Sequence, residues 1–473
     1  MTERILIHPV TRVEGHAKIS IYVDDAGQVS SAQFHVTEFR GFEKLCEGRP
    51  FHEMPGLMSR ICGICPVSHV LASSKAGDML LGVEIPRAAM KQRRLVNYAQ
   101  LLQSHALSFF HLSAPDLLLG MDSPPEKRNI FGLLESDAEL ARRGIRLRQF
   151  GQRIIELVGG KRIHPAWGAP GGVLRALGTA ERDEIRGWIP EALQSMDIAL
   201  KRLKSVIDSL AIEIEQMGNF PTLFLGTVTP EGALEYYDGQ IRIVDAEGNI
   251  MADGLDPLRY ASYLGEASEE WSFMKFAYYK PLGYPGGLYR VGPLARLNVA
   301  QSAGTPRADH ELSEFKQRSQ GSVCQSFHYH LARLIEMLHA VERIAELADD
   351  PELLREHIRA KAGQNRNQGI GSCEAPRGTL FHDYQVDDDG LIRKVNLLIA
   401  TSQNNLAMNK TVEQTARHFV SPQSLQEGML NRVEAAIRCF DPCLSCSTHA
   451  SGHMALIIEV RDSARRLLRR IER

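Results

Sequence analysis

The sequence predicts a mainly helical chain with small antiparallel sheets at its periphery, an α+β arrangement in one compact body. Three observations carry that expectation. Long stretches place apolar residues at helical spacing. Short alternating stretches come in pairs around turn residues. No repeat, low-complexity tract or flexible linker divides the 473 residues, although length alone would suggest about three domains.

Residues 4–37 read as a β-hairpin. ILIHPV and KISIYV alternate, and DDAG turns the chain toward VSSAQFHV. RAAMKQRRLVNYAQLLQSHALSFFHL (87–112) has helical spacing. So has ERDEIRGWIPEALQSMDIALKRLKSVIDSLAIEIEQM (181–217), where Pro190 is expected to kink or begin the helix. QIRIVDAEGNIM (240–251) reads as a second hairpin, turning at Glu247-Gly248-Asn249. SVCQSFHYHLARLIEMLHAVERIAELA (322–348) reads as a third long helix. TLFHDYQVDDDGLIRKVNLLIAT (379–401) reads as a third hairpin, turning at Asp389-Gly390. The Gly/Pro-rich segments 120–135, 159–178 and 276–306 read as ordered loops.

Composition narrows the function classes. With 44% hydrophobic and 24% charged residues the chain has an ordinary globular make-up, and a net charge of -2 gives no reason to expect nucleic acid. No run approaches the roughly 18 apolar residues of a transmembrane helix. The start, MTERILIHPV, has no apolar signal core, so the expected location is cytoplasmic.

Eight cysteines are present, four of them in two C-x-x-C pairs: Arg60-Ile-Cys62-Gly-Ile-Cys65-Pro-Val-Ser-His69 and Asp441-Pro-Cys443-Leu-Ser-Cys446-Ser-Thr-His449. Such a pair can offer two thiolates to one soft metal ion. A structural zinc site is the plainest alternative, but its pairs normally lie about 15–20 residues apart; here 377 residues separate Cys65 from Cys443. A thioredoxin-like redox pair needs a βαβ setting that neither pair has. Cys46, Cys324, Cys373 and Cys439 read as small buried apolar residues.

With their flanks the two pairs resemble the N-terminal and C-terminal metal signatures of nickel–iron hydrogenase large subunits. HPVTRVEGHAKI (8–19), FRGFEKLCEGRP (39–50), SHALSFFHLSAPD (104–116) and GSCEAPRGTLFH (371–382) match the same family in order. The resemblance runs from about residue 4 to residue 460. PVSH resembles the cytoplasmic, cofactor-linked branch more than the membrane-bound uptake branch.

The resemblance implies the family's large-subunit fold with a central helical bundle. It implies nickel held by four thiolates, Cys62 and Cys443 terminal and Cys65 and Cys446 bridging to an iron that carries carbon monoxide and two cyanide ligands. It implies reversible heterolytic cleavage of dihydrogen. Two candidate bases follow: Cys443 passing a proton to Glu14, which we favour, or the guanidine of Arg377, a group almost never deprotonated in proteins. Asp116, Pro376, Arg377 and Asp441 would cover the metals, with Arg377 paired to one or both aspartates. His69 would donate toward a bridging cysteine. Glu43 and His449 resemble ligands of a magnesium site, completed by a backbone carbonyl near Asn405.

The same resemblance implies partners: an iron–sulfur small subunit, a flavin- and iron–sulfur-bearing diaphorase that reduces NAD, nickel-insertion chaperones and a maturation endopeptidase. This chain has no Gly-rich fingerprint for NAD or flavin and no cysteines for a cluster relay. Residues 1–449 read as one catalytic unit, with about 4–50 as its N-terminal β region. Residues 450–473 read as a propeptide removed on maturation, carrying a net charge of about +3; their periodicity also fits an amphipathic helix. Alternatives are a deazaflavin-, NADP/sulfur- or ferredoxin-linked hydrogenase and a regulatory hydrogen sensor, which tends to lack a cleavable tail. A complex I-type subunit would have lost the four cysteines.

Overall fold

Helices form the centre of the molecule and small sheets flank it, as expected. The structure is a computed structural model and describes residues 3–449, 457–461 and 467–472.

Pro66–Leu81 (α1) opens with a proline, whose missing N–H costs nothing in a first turn, and ends at Gly82 in the left-handed region. Arg87–Ala106 (α2) does not continue regularly to residue 112. Leu107–Ser113 winds as a π-helix, and Ala114–Leu119 (α3) resumes the α form. The wider π turn changes the rotational phase of α3 relative to α2. Ala138–Gly159 (α4) is capped by the Asp137 carboxylate on the Leu140 amide at 3.2 Å. It crosses α2 closely: a Cβ on Gly151 would stand 2.6 Å from the Ala99 carbonyl oxygen. Thr179–Ile207 (α5) runs through Pro190, and Ala211–Gln216 completes the segment. Tyr329–Asp349 (α6) packs on α2 and α5. It starts later than its periodicity suggests, because the chain is still extended at Gln325 and makes one 3₁₀ turn first. Asn405–Phe419 (α7), Glu427–Phe440 (α8) and the single turn Leu444–Ser447 (α9) lead to His449.

The N-terminal region is a three-stranded antiparallel sheet of Glu3–Ile7 (β1), Ala17–Val23 (β2) and Val29–Val36 (β3), not a single hairpin. The loop between β1 and β2 holds HPVTRVEGH. Leu223–Val228 (β4), Gln240–Val244 (β5), Ile250–Leu255 (β6) and Tyr289–Arg290 (β9) form a mixed sheet, with β9 parallel to β4. Leu264–Ala267 (β7) and Phe276–Tyr279 (β8) pair separately. Gln368–Ala375 (β10), Gly378–Val386 (β11) and Ile392–Leu398 (β12) form a third sheet, whose first turn holds Pro376 and Arg377. The segments read as loops contain short elements as well. Ile130–Ser136 is a helix capped by Asn129, and Pro293–Val299 is a helix begun by its proline. Gly and Pro mark the boundaries of such short pieces and so mask them.

In the tail, Ile457–Arg461 (β13) and Leu467–Glu472 (β14) pair as antiparallel strands rather than forming a helix. The β-branched run Ile457, Ile458, Val460 favours the extended form. The remaining tail residues lie outside the described ones. Among the described residues no helix is long and apolar enough to cross a membrane.

Candidate metal centre

The two cysteine pairs arrive from opposite ends of the chain. Cys62 is extended and Cys65 stands at the N-terminus of α1; Cys443 stands in the same position on α9, with Cys446 inside that turn. Cys62 Sγ and Cys443 Sγ are 3.3 Å apart, Cys65 Sγ and Cys446 Sγ 3.4 Å, and all four sulfurs lie within 4.8 Å of one another. All four are buried. Hydrogen bonds from Cys443, Cys446 and Cys65 hold a thiolate at Cys62, well below the usual thiol range. Burial pushes Cys443 and Cys446 well above it. A soft cation that binds there must displace the protons held on the remaining thiols.

One wall is Arg377. Its Nε donates to the Asp441 carbonyl at 2.5 Å, its Nη2 pairs with the Asp441 carboxylate at 2.9 Å, and its Nη1 donates to Ser104 Oγ at 3.3 Å. Burial opposes the charge, but Asp441 and the cluster cysteines outweigh it and hold the guanidinium protonated. The turn carrying it is fixed from behind. Arg296 donates to the carbonyls of Ala375 (2.9 Å) and Pro376 (3.2 Å) while pairing with Glu336 (2.6 Å) and Glu374 (2.7 Å), all fully buried. Sequence reading misses Arg296, Glu336 and Glu374, since long-range ion pairs leave no periodic signal.

A second wall is Glu14. Its carbonyl accepts from the Leu444 amide at 3.2 Å, and its carboxylate accepts from the Ser445 amide at 3.0 Å and from the Ser445 hydroxyl. Burial and the Cys62 thiolate raise its pKa, and the Cys443 thiol is within hydrogen-bonding reach. Asp116 does not join Arg377. It pairs with Arg12 at 2.5 Å and Arg438 at 2.9 Å, so of the two aspartates only Asp441 meets Arg377.

His69 Nε2 lies 3.4 Å from Cys446 Sγ, and its Nδ1 lies 3.1 Å from His382 Nε2. His382 Nδ1 is 2.7 Å from the Tyr384 hydroxyl, which is 2.9 Å from Ser73 Oγ. Burial lowers His69 to about 4, so it is neutral. A neutral imidazole donates with one nitrogen and accepts with the other. With Cys446 deprotonated, His69 Nε2–H must donate to its sulfur.

A second cluster sits beyond α9. His449 Nδ1 lies 2.9 Å from the Cys446 carbonyl, which aims Nε2 at Glu43, 3.5 Å away. The Leu397 main chain meets both residues. Among the described residues, His449 Nε2 and Glu266 Oε1 are buried and make no well-formed hydrogen bond. Asn405 makes other contacts: its carbonyl accepts from Asn409 at 3.0 Å and its amide donates to Met274 and Lys275 carbonyls at 3.2 Å. The neighbouring main-chain group is Leu397. Glu266 on β7 is a further neighbour that nothing local in the sequence marks.

Residues 40–121 and 232–449 match a family described as nickel-dependent hydrogenase, and residues 4–39 match one described as HoxL-like. The chain belongs to the nickel-dependent hydrogenase family. It is similar to the beta subunit of the NAD-reducing hydrogenase HoxS of Cupriavidus necator, at 42% identity over 99% of both chains. It is also similar to a chain of the F420-non-reducing hydrogenase vhu of Methanococcus voltae, at 41% identity over 87% of this chain and 98% of that one. A solved NAD+-reducing [NiFe]-hydrogenase in the H2-reduced state superimposes with a TM-score of 0.92 at 47% identity, covering 95% of this chain and 100% of its own. The chain is therefore a catalytic hydrogenase subunit, an oxidoreductase acting on dihydrogen. Membership implies a nickel–iron centre, and four convergent buried thiols are a donor set that fits one.

Proposed function

We propose that this chain cleaves dihydrogen reversibly and passes the electrons, through an iron–sulfur small subunit, to a flavin-bearing diaphorase that reduces NAD in the cytoplasm. The observation that carries the reading is the convergence of both cysteine pairs, with the Glu14 main chain bridged to that of Cys443. The near full-length likeness to an NAD-reducing enzyme supports the acceptor. When bound, a nickel–iron centre with one carbon monoxide and two cyanide ligands supplies the two-electron acceptor for heterolytic cleavage. Cys62 and Cys443 would serve as ligands to nickel, and Cys65 and Cys446 as ligands to nickel and iron. Cys443 takes the proton and Glu14 carries it away, because Arg377 is held charged by Asp441 and has no lone pair to offer. Arg377, Pro376 and Asp441 would cover another side of the cluster. Glu43, His449 and the Leu397 main chain hold magnesium, with Glu266 beside it; the buried atoms there without a well-formed hydrogen bond suit a hard cation.

Residues 450–473 are a propeptide cut by a maturation endopeptidase after chaperoned nickel insertion. The family match ends at residue 449, and the solved relative leaves uncovered 5% of this chain, the size of that segment. Intact-mass measurement of active enzyme tests this; a full-length active chain refutes it.

Hydrogen-dependent NAD reduction by the purified, nickel-loaded complex is the expected result. Nickel-loaded complex that oxidises dihydrogen with an artificial dye but never reduces NAD would favour a different electron carrier. The 41% identity to an F420-non-reducing enzyme is the observation behind that second reading.

A further inference from the structure

Glu14 stands in the connection between β1 and β2, residues 8–16, which has no regular structure. A loop of that kind places a carboxylate reproducibly only when it is tied from outside. Two residues upstream of Glu14 the ties are unusually dense. Arg12 holds φ at 55°, a left-handed conformation that a non-glycine residue adopts at a cost. Its guanidinium donates to the Leu112 carbonyl at 2.9 Å, to Asp116 Oδ1 at 2.5 Å and to Asn431 Oδ1 at 3.2 Å. Leu112 lies in the π-helical segment, where the switch of hydrogen-bond pattern leaves carbonyls for an outside donor.

Thr11 is held from α8. Its amide donates to Glu434 at 2.5 Å, its carbonyl accepts from Arg438 Nε at 3.1 Å, and its hydroxyl accepts from Arg438 Nη2 at 3.1 Å. Arg438 Nη1 reaches Asp116 Oδ2 at 2.9 Å. Asp116 therefore gives one oxygen to each arginine, and the two arginines fix adjacent residues of the loop. Beyond Glu14, the His16 amide donates to Glu38 at 3.0 Å. The carboxylate of Glu14 is thus bracketed, and its own contacts to Leu444 and Ser445 complete the register.

We infer that Arg12, Asp116 and Arg438 are positioning residues for Glu14: together they lock the Thr11–Arg12 main chain and so set where the Glu14 carboxylate stands against Cys443 and Ser445. Asp116 acts on the proton side of the site, not on the metals. This rests on Glu14 as the proton carrier, and the test separates the two ideas.

The complex is prepared with Arg12→Lys, Asp116→Asn, Glu14→Gln, and Arg12→Lys combined with Glu14→Gln. Nickel content, the infrared carbon monoxide and cyanide bands, and H2/D2O exchange are measured on each. Arg12→Lys and Asp116→Asn are expected to slow exchange roughly tenfold to a hundredfold, as a misplaced catalytic group does. Nickel content and band positions should stay at their wild-type values. In the Glu14→Gln background Arg12→Lys should add no further loss, since both act on one step. Shifted bands in Asp116→Asn would put that carboxylate on the metals and overturn the inference. Normal exchange in Arg12→Lys and Asp116→Asn, with exchange lost in Glu14→Gln, would overturn the inference and leave Glu14 standing. Normal exchange in Glu14→Gln would remove the carrier itself. Arg12 is partly exposed, so Arg12→Lys remains informative if Asp116→Asn fails to fold.

Discussion

The two walls of the cysteine cluster are built on different plans. The Arg377 wall is a strand turn buried on every side, held by Asp441 in front and by the Arg296–Glu336–Glu374 network behind. The Glu14 wall is a half-buried irregular loop held by side chains from distant helices. A fixed cation in a buried pocket keeps its charge and shapes the field. A carboxylate at the edge, with its pKa raised by burial, can take up and release a proton. On the proposed function, the contrast gives electrostatic shaping to one wall and proton traffic to the other.

Four substitutions break or sharpen that contrast. The largest effect is expected from Cys443→Ser, which removes a proposed nickel ligand that lies between the two walls. Nickel should be absent by elemental analysis and hydrogen oxidation abolished; retained nickel with normal turnover refutes the ligand assignment. Next is Glu14→Gln, which keeps the shape and loses the titrating group. H/D exchange should fall by roughly 10²–10⁴, the usual worth of a positioned acid–base, with metals in place. Arg377→Lys comes third. It keeps the charge but loses the planar fork that meets Asp441 and Ser104, so turnover should fall about tenfold to a hundredfold. If that variant lost all exchange while Glu14→Gln kept it, the two walls would exchange roles. The smallest effect is expected from Tyr384→Phe, which deletes one hydroxyl from the chain leading through His382 and His69 to Cys446. Infrared cyanide and carbon monoxide bands should shift slightly while turnover changes only a few-fold. Unshifted bands would show that the chain ends electrically at His69.

Much of this is legible in the amino-acid sequence, and the rest is hidden for physical reasons. The cysteine pairs announce themselves because two ligands on one turn need a fixed spacing. The three long helices and the two later hairpins follow from periodicity and turn residues. β4 carries no such signal, because a short continuously apolar strand, LFLGTV, reads equally as part of a buried helix. The π segment reads as plain helix because it keeps helical spacing. Arg296, Glu336, Glu374, Glu266 and Leu397 give no signal, since each matters through a partner far away in sequence. Leu397 is hidden for the same reason: it comes beside Glu43 and His449 only when the chain folds.

Cys65 and Cys446 sit 3.4 Å apart in space and 381 positions apart along the chain. At a synthesis rate of about 5–20 residues per second, the first pair leaves the ribosome roughly 20–75 s before the second. Over that interval RICGIC is a lone dithiol, free to capture any thiophilic ion or oxidant nearby. A four-thiolate pocket split this way rewards a cell that delivers nickel late and keeps the early half reduced until the C-terminal turn closes over it.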